Sequence, residues 1–154
     1  MIQNNMLPAV PSLQERIMST RLSPHFTLAE MVRSGTAITR GIDNTPSPVV
    51  MNNLETLCRE LLEPLRRRFG ALRVTSGYRS HALNRAVGGA PGSQHITGEA
   101  ADLHFSDPAV ADKMCRFALD SLPFDQLIRY PHWIHISYSV THPPRREFLH
   151  GSRL

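Results

Sequence analysis

The sequence is short of several things at once. Its two cysteines, Cys58 and Cys115, lie far apart in 154 residues, so no disulfide framework is expected and no sulfur-rich metal site can be assembled. Aromatic residues make up only 6%, with a single tryptophan, which argues against a stacking platform for nucleic-acid bases. No apolar run approaches the roughly 20 residues of a bilayer span. Lysine is reduced to Lys113, so nearly all of the 17 basic residues are arginine. The net charge of +4 draws the chain weakly toward polyanions, although an arginine-rich solvated surface accounts for it without any partner. The amino-terminal stretch shows no basic cluster followed by an apolar stretch and a small-residue cleavage site. No secretory signal is read, and synthesis in the cytoplasm is expected. The glycine-rich loop Gly88–Ser93 lacks the lysine and Ser/Thr ending of a phosphate-binding loop, which removes that reading.

What is present describes one folded unit. A hydrophobic fraction of 41% and a charged fraction of 19% suit a globular domain large enough to bury a core. Residues 1–22, punctuated by Pro8 and Pro11, are expected to form an extended or partly ordered arm, and 23–154 a single domain. Thr27 and Glu30 spell a capping box for a short helix through Val32. Ser47 and Pro48 open a long helix whose apolar stripe Val50, Leu54, Leu57, Leu61, Leu65 and Phe69 must face a core, and Gly70 ends it. Leu72–Ser76 reads as a strand and Ser80–Val87 as a short helix. Ala100–Phe105 alternates, with Ala101, Leu103 and Phe105 on one face and Asp102 and His104 on the other. A helix from Asp107 to about Leu122 and strands over Gln126–Tyr130 and Trp133–Tyr138 follow. In the last strand, Trp133, His135 and Ser137 share a face. Helices first and closely spaced strands later predict an α+β fold, a mostly antiparallel sheet with flanking helices.

The densest polar signal is Ser93-Gln94-His95-Ile96-Thr97-Gly98-Glu99-Ala100-Ala101-Asp102. His95 offers an imidazole nitrogen and Asp102 a carboxylate oxygen, while Gly98, Ala100 and Ala101 are small enough to let backbone pass close to an ion. His135 can supply a third donor. Two histidines and a carboxylate leave one tetrahedral position open, as catalytic zinc sites do. A hydrogen-bonded histidine and a turn aspartate account for the same spacing.

That decapeptide matches SxHxxGxAxD at every fixed position and so resembles the signature of the zinc D-alanyl-D-alanine peptidases, which share a fold with the hedgehog signalling domain. Trp133-Ile134-His135 is similar to the second motif of that family. Val74-Thr75-Ser76-Gly77-Tyr78-Arg79-Ser80, with Leu83 and Asn84, resembles the segment that precedes the first motif in its small bacterial and phage members. So do His25-Phe26-Thr27 and the stretch from Gly41 to Pro46. The resemblance implies that His95, Asp102 and His135 bind zinc. It implies too that Arg79 grips a substrate carboxylate or polarises the scissile carbonyl, and that Ser93 contacts the carboxylate side of the substrate; a loop cap is the plainer role for Ser93. Gln126-Leu127-Ile128 also resembles a family segment and reads as core strand.

One departure stands out. Many members place an acidic residue three positions before the third ligand, where it serves as general base; this chain has His132 there. A related subgroup carries the acid after the segment matching Gln126–Ile128, where Arg129 and Tyr130 stand here. His132 is therefore the expected proton carrier, with Glu99, Asp125 or a site that binds without hydrolysing as alternatives. His104 is a candidate for supporting a ligand from behind. The implied function is hydrolysis of peptide bonds in the stems or cross-links of bacterial peptidoglycan by a metal-activated water. The implied site of action is the cell wall, reached after release of the phage type. A zinc-stabilised cell-wall-binding module and, with less support, a nucleic-acid-binding protein are the competing classes. No nucleic acid and no membrane segment are expected.

Overall fold

The computed structural model describes residues 7–152; the first six residues of the expected arm and the last two of the expected domain lie outside them. The rest of that arm is not simply extended. Ser12 and Glu15 form a reciprocal capping box for α1 (Leu13–Met18), and Ile17 and Met18 pack against the core. This local order has a local cause, the Ser-x-x-Glu spacing, which outweighs the flanking prolines. Strands β1 (Arg21–Ser23) and β2 (Phe26–Thr27) pair antiparallel. Thr27 and Glu30 then cap α2 (Leu28–Val32) reciprocally, as their spacing predicts. A further helix, α3 (Gly35–Arg40), is capped by Ser34 and stopped by Gly41 at a φ of 64°, a left-handed value that glycine adopts without steric cost.

The long helix begins where Ser47 and Pro48 place it but is not uniform. It runs as α4 (Pro48–Leu57), a π turn over Cys58–Leu62 and α5 (Glu63–Phe69). Pro64 explains the interruption, because proline has no N–H to donate and its ring crowds the preceding turn. The widened turn, closed by Glu63 N–H on the Cys58 carbonyl, lets Pro64 stand in the first turn of a new α-helical segment. The stripe survives this change: Leu54, Leu57, Leu61 and Leu65 are fully buried, joined by Cys58 and Leu62.

The main sheet is ordered β3-β4-β6-β5-β7, from β3 (Arg73–Ser76), β4 (Ala100–His104), β5 (Gln126–Arg129), β6 (Trp133–Ser137) and β7 (Glu147–His150). Three of its pairings are antiparallel, and β7 lies parallel to β5 at the edge. Helix α6 (His81–Ala86) follows β3, and α7 (Pro108–Ser121) joins β4 to β5. One face of the sheet supplies Ala101, Leu103, Leu127, Ile134 and Ile136 to a single cluster with α4, the π turn, α5 and α7. Each fully buried leucine there is worth about 1.5–3 kcal/mol over exposure. The opposite face, by the two-residue period of a strand, carries Asp102, His135 and Trp133. No helix of the described residues is long and apolar enough to cross a membrane.

Candidate metal centre and substrate cleft

Strand pairing brings two of the expected ligands together. Asp102 in β4 lies directly opposite His135 in β6, and His135 Nδ1 is 3.0 Å from Asp102 Oδ1. His95 arrives from the turn before β4. Its carbonyl accepts the Arg79 N–H at 3.0 Å, and its own N–H donates to Ser93 Oγ at 3.2 Å. That turn needs Gly98 for two reasons: its φ is 75°, and a Cβ there would stand 2.8 Å from both the carbonyl oxygen and Cγ1 of Val50. The small residue therefore serves the close approach of α4, not the approach of an ion as its place in the motif first implies. Each of His95, Asp102 and His135 offers one donor atom, and the three lie within 4.8 Å of one another.

The protonation pattern bears on whether a cation fits. His95 Nδ1 is 2.6 Å from the Gly77 carbonyl, which can only accept, so Nδ1 carries the proton in a neutral ring. The free lone pair on Nε2 then faces Asp102 Oδ1 at 3.2 Å. Two buried acceptors confronting each other repel, and a shared cation removes the conflict. Burial pushes the His95 pKa below its ordinary value despite the attraction of Asp102, which favours the neutral, ligating form. Burial works the other way on Asp102, but its bonds and charge interactions with His95 and His135 prevail and hold its carboxyl well below the usual range. Two nitrogens and one anionic oxygen are a donor set suited to a divalent metal with an open coordination position.

Arg79 is the next residue outward. Its Nε donates to Ser76 Oγ at 3.0 Å, and its two terminal nitrogens reach Asn84 Oδ1 at 3.4 Å and Asp102 Oδ2 at 3.3 Å. Asn84 is itself held by the Ala90 carbonyl. The stretch around Asn44 closes the back of this arrangement: its amide donates to the Val32 and Tyr78 carbonyls and its carbonyl accepts Ser80 N–H. Arg79, Ser93, His95, Asp102 and His135 all line one cleft of about 460 Å³.

Other expected residues lie elsewhere. Tyr130 N–H bonds the Trp133 carbonyl at 2.9 Å, which makes Pro131 and His132 the tip of a tight hairpin between β5 and β6. His132 is exposed there, holds Phe105 N–H through its backbone carbonyl, and is not part of the cleft lining. The sequence places it three residues from His135, but the turn carries it away from the site. Glu99 is committed to Val140 N–H. Asp125, wholly buried, is occupied by Arg145 and Gln94; burial alone would raise its pKa, and those bonds lower it below its ordinary value. His104 stands opposite Trp133, two pairs beyond Asp102 and His135, with no side-chain hydrogen bond to the cluster among the described residues.

The cleft also contains residues that the motifs do not mark: Gln94, Gln126, Ile128, Tyr130 and Arg145. Gln126 and Ile128 correct the reading of that strand as core, since only Leu127 between them turns inward. Alternation along β5 carries that signal. Tyr130 stacks on Trp133 with centroids 3.6 Å apart. Among the described residues, Asp102 is the only carboxylate lining the cleft.

A family profile described as Peptidase M15 matches residues 24–137, a span that contains all three clustered donors and Arg79. A search of curated proteins finds no match.

Proposed function

Since the chain belongs to the peptidase M15 family of metallopeptidases, we propose that it is a zinc peptidase that hydrolyses peptide bonds in the stems or cross-links of bacterial peptidoglycan. The observation that carries this reading is the convergence of His95 Nε2, His135 Nδ1 and Asp102 Oδ1 in a cleft walled by a fixed arginine. His95, Asp102 and His135 would hold the zinc, which when bound supplies a Lewis acid that polarises a carbonyl and acidifies water. The Gly77 carbonyl keeps the His95 ring in one tautomer and orientation. Arg79, braced by Ser76 and Asn84, orients the substrate and meets developing negative charge without reorganising. Ser93 caps the ligand-bearing turn and faces the substrate. Residues 23–154 act as one domain in this reading, and the cell wall is where it works.

A second reading is favoured by one feature, the lack of any carboxylate other than Asp102 in the cleft among the described residues. With His132 at an exposed turn and with Glu99 and Asp125 engaged elsewhere, Tyr130 and Ser93 are the proton-exchanging groups left beside the ligands. A zinc-stabilised module that binds cell wall without cutting it would need no proton carrier. Digestion of purified peptidoglycan separates the two. Release of peptide fragments that stops on chelation and in His95→Ala supports the peptidase; wall binding with no cleavage by the zinc-loaded protein supports the module.

A further inference from the structure

A second cavity, of about 530 Å³, shares Arg79 with the cleft and is lined by β3 and the start of α3. Three guanidinium groups line it, from Arg33, Arg73 and Arg79, with hydroxyls from Ser34, Thr75 and Tyr78 and no carboxylate among the described residues. Arg79 is braced by three partners. Arg33 and Arg73 are exposed, and no hydrogen bond or ion pair among the described residues engages either side chain. Free guanidinium forks beside hydroxyls fit carboxylate oxygens. The wall between them is β3, the end strand of the sheet, whose outer backbone groups have no strand partner. An unpaired strand edge of this kind accepts an extended peptide. Beyond Ser76 the chain continues to Gly77, which anchors His95, and to Arg79, which lines both cavities. A peptide laid along β3 would therefore point at the metal cluster.

We propose that the Arg33–Arg73 cavity is a subsite for the side-chain carboxylates of an acidic peptide lying along the β3 edge. This rests on the peptidase reading for the peptide's identity, but not for its binding. A compact anion would leave most of the volume empty, and a neutral peptide would leave both forks unused.

The test measures binding of fluorescent stem peptides to the zinc-loaded chain by anisotropy, using a matched pair with side-chain carboxylates free or amidated. The wild type is expected to bind the free form roughly tenfold or more tightly, the worth of one charge-assisted pair. The double variant Arg33→Ala/Arg73→Ala should lose that preference while keeping zinc content and far-UV circular dichroism. A double variant Arg67→Ala/Arg116→Ala, which removes the same charge elsewhere, should keep it. Equal wild-type affinities for the two peptides would overturn the subsite. So would equal loss of preference in the Arg67/Arg116 variant, which would assign the effect to net charge, or a preference that survives Arg33→Ala/Arg73→Ala and vanishes only in Arg79→Ala. A preference that behaves as expected without hydrolysis of either peptide supports the subsite and counts against cleavage within the stem.

Discussion

Replacing Gly77 by alanine tests how the fold holds its first metal ligand. A Cβ on Gly77 would stand 2.3 Å from the Met31 carbonyl oxygen and 3.0 Å from its carbon. Both are backbone atoms of α2, and the same oxygen already accepts Tyr78 N–H at 2.7 Å. Ordinary contact begins near about 3.5 Å, so the end of β3 or of α2 must move by ~1 Å. Overpacking of this kind costs about 1–3 kcal/mol, read as a lower urea midpoint in the metal-free protein. The carbonyl of Gly77 is the partner of His95 Nδ1 at 2.6 Å; shifting it loosens the ligand and should lower zinc affinity by about 10–100-fold. Competition with a chromophoric chelator measures that affinity. Gly35→Ala is the control, because nothing lies within 4 Å of its added methyl; its stability should stay within about 0.5 kcal/mol of wild type and its zinc affinity should not change. Loss of stability in Gly77→Ala with wild-type zinc affinity would refute the coupling, and wild-type values for both would refute the steric reasoning as well.

Zinc at a hundredfold excess over its Kd should stabilise the wild type by about 2.7 kcal/mol, a rise of roughly 5–10 °C in Tm for a chain of this size; Asp102→Ala should show no rise in differential scanning fluorimetry and no activity. His132→Ala should keep zinc affinity and, because the residue sits at the hairpin tip, should keep the rate within about twofold; a loss of tenfold or more in a muropeptide assay would return the proton-carrying role to it. Glu63 is buried in α5 and accepts bonds from Ser23 Oγ, His25 N–H and His25 Nδ1; burial raises its pKa, but these bonds outweigh it and leave the carboxyl below its ordinary value. The unfolded chain then binds the extra proton first, so this contribution is complete above about pH 4.3 and is lost as pH falls through the lower folded value. Urea melts across the acid range should show a steeper loss in wild type than in Glu63→Gln, and equal slopes would count against it.

The parts of the fold that rest on short-range chemistry are the parts a reader of the sequence can recover. Thr27 with Glu30, Ser47 with Pro48, and the leucine stripe of the long helix each carry their instruction within four residues, and each stands where expected. Pro64 carried an equally local instruction, a break in the hydrogen-bond ladder, that the periodic stripe concealed. Strand β7 was hidden for a different reason: four residues at a sheet edge, paired parallel to β5 across an irregular connection, show no strong alternation of their own. His132 illustrates the limit at the site. Three residues along a strand end and three residues around a hairpin look alike in sequence, and only the Tyr130–Trp133 closure decides which applies. Arg145 and Gln94 escaped because what places them, the buried carboxylate of Asp125, is distant from both in the chain.

The arginine excess looks different once it is placed in space. A net charge of +4 spread evenly would do little beyond weak attraction to a polyanion. Instead Arg79 and Arg145 line the cleft, Arg33 and Arg73 join Arg79 around the neighbouring cavity, and Asp102, the one carboxylate facing this region among the described residues, is occupied by His95, His135 and Arg79. Walls of low dielectric concentrate such fields. Arg145 is paired locally with Asp125, whereas Arg33 and Arg73 on the other side of Arg79 have no carboxylate partner among the described residues. A substrate with negative side chains on one flank of the scissile bond would be steered in one orientation, with that flank along β3 and the bond over the His95–Asp102–His135 cluster. Orientation of this kind acts on encounter rate and on binding, and it weakens with ionic strength, whereas the donor geometry of the cluster does not. Raising salt should therefore lower kcat/KM for an acidic peptide far more than kcat, and should leave both nearly unchanged for its amidated counterpart.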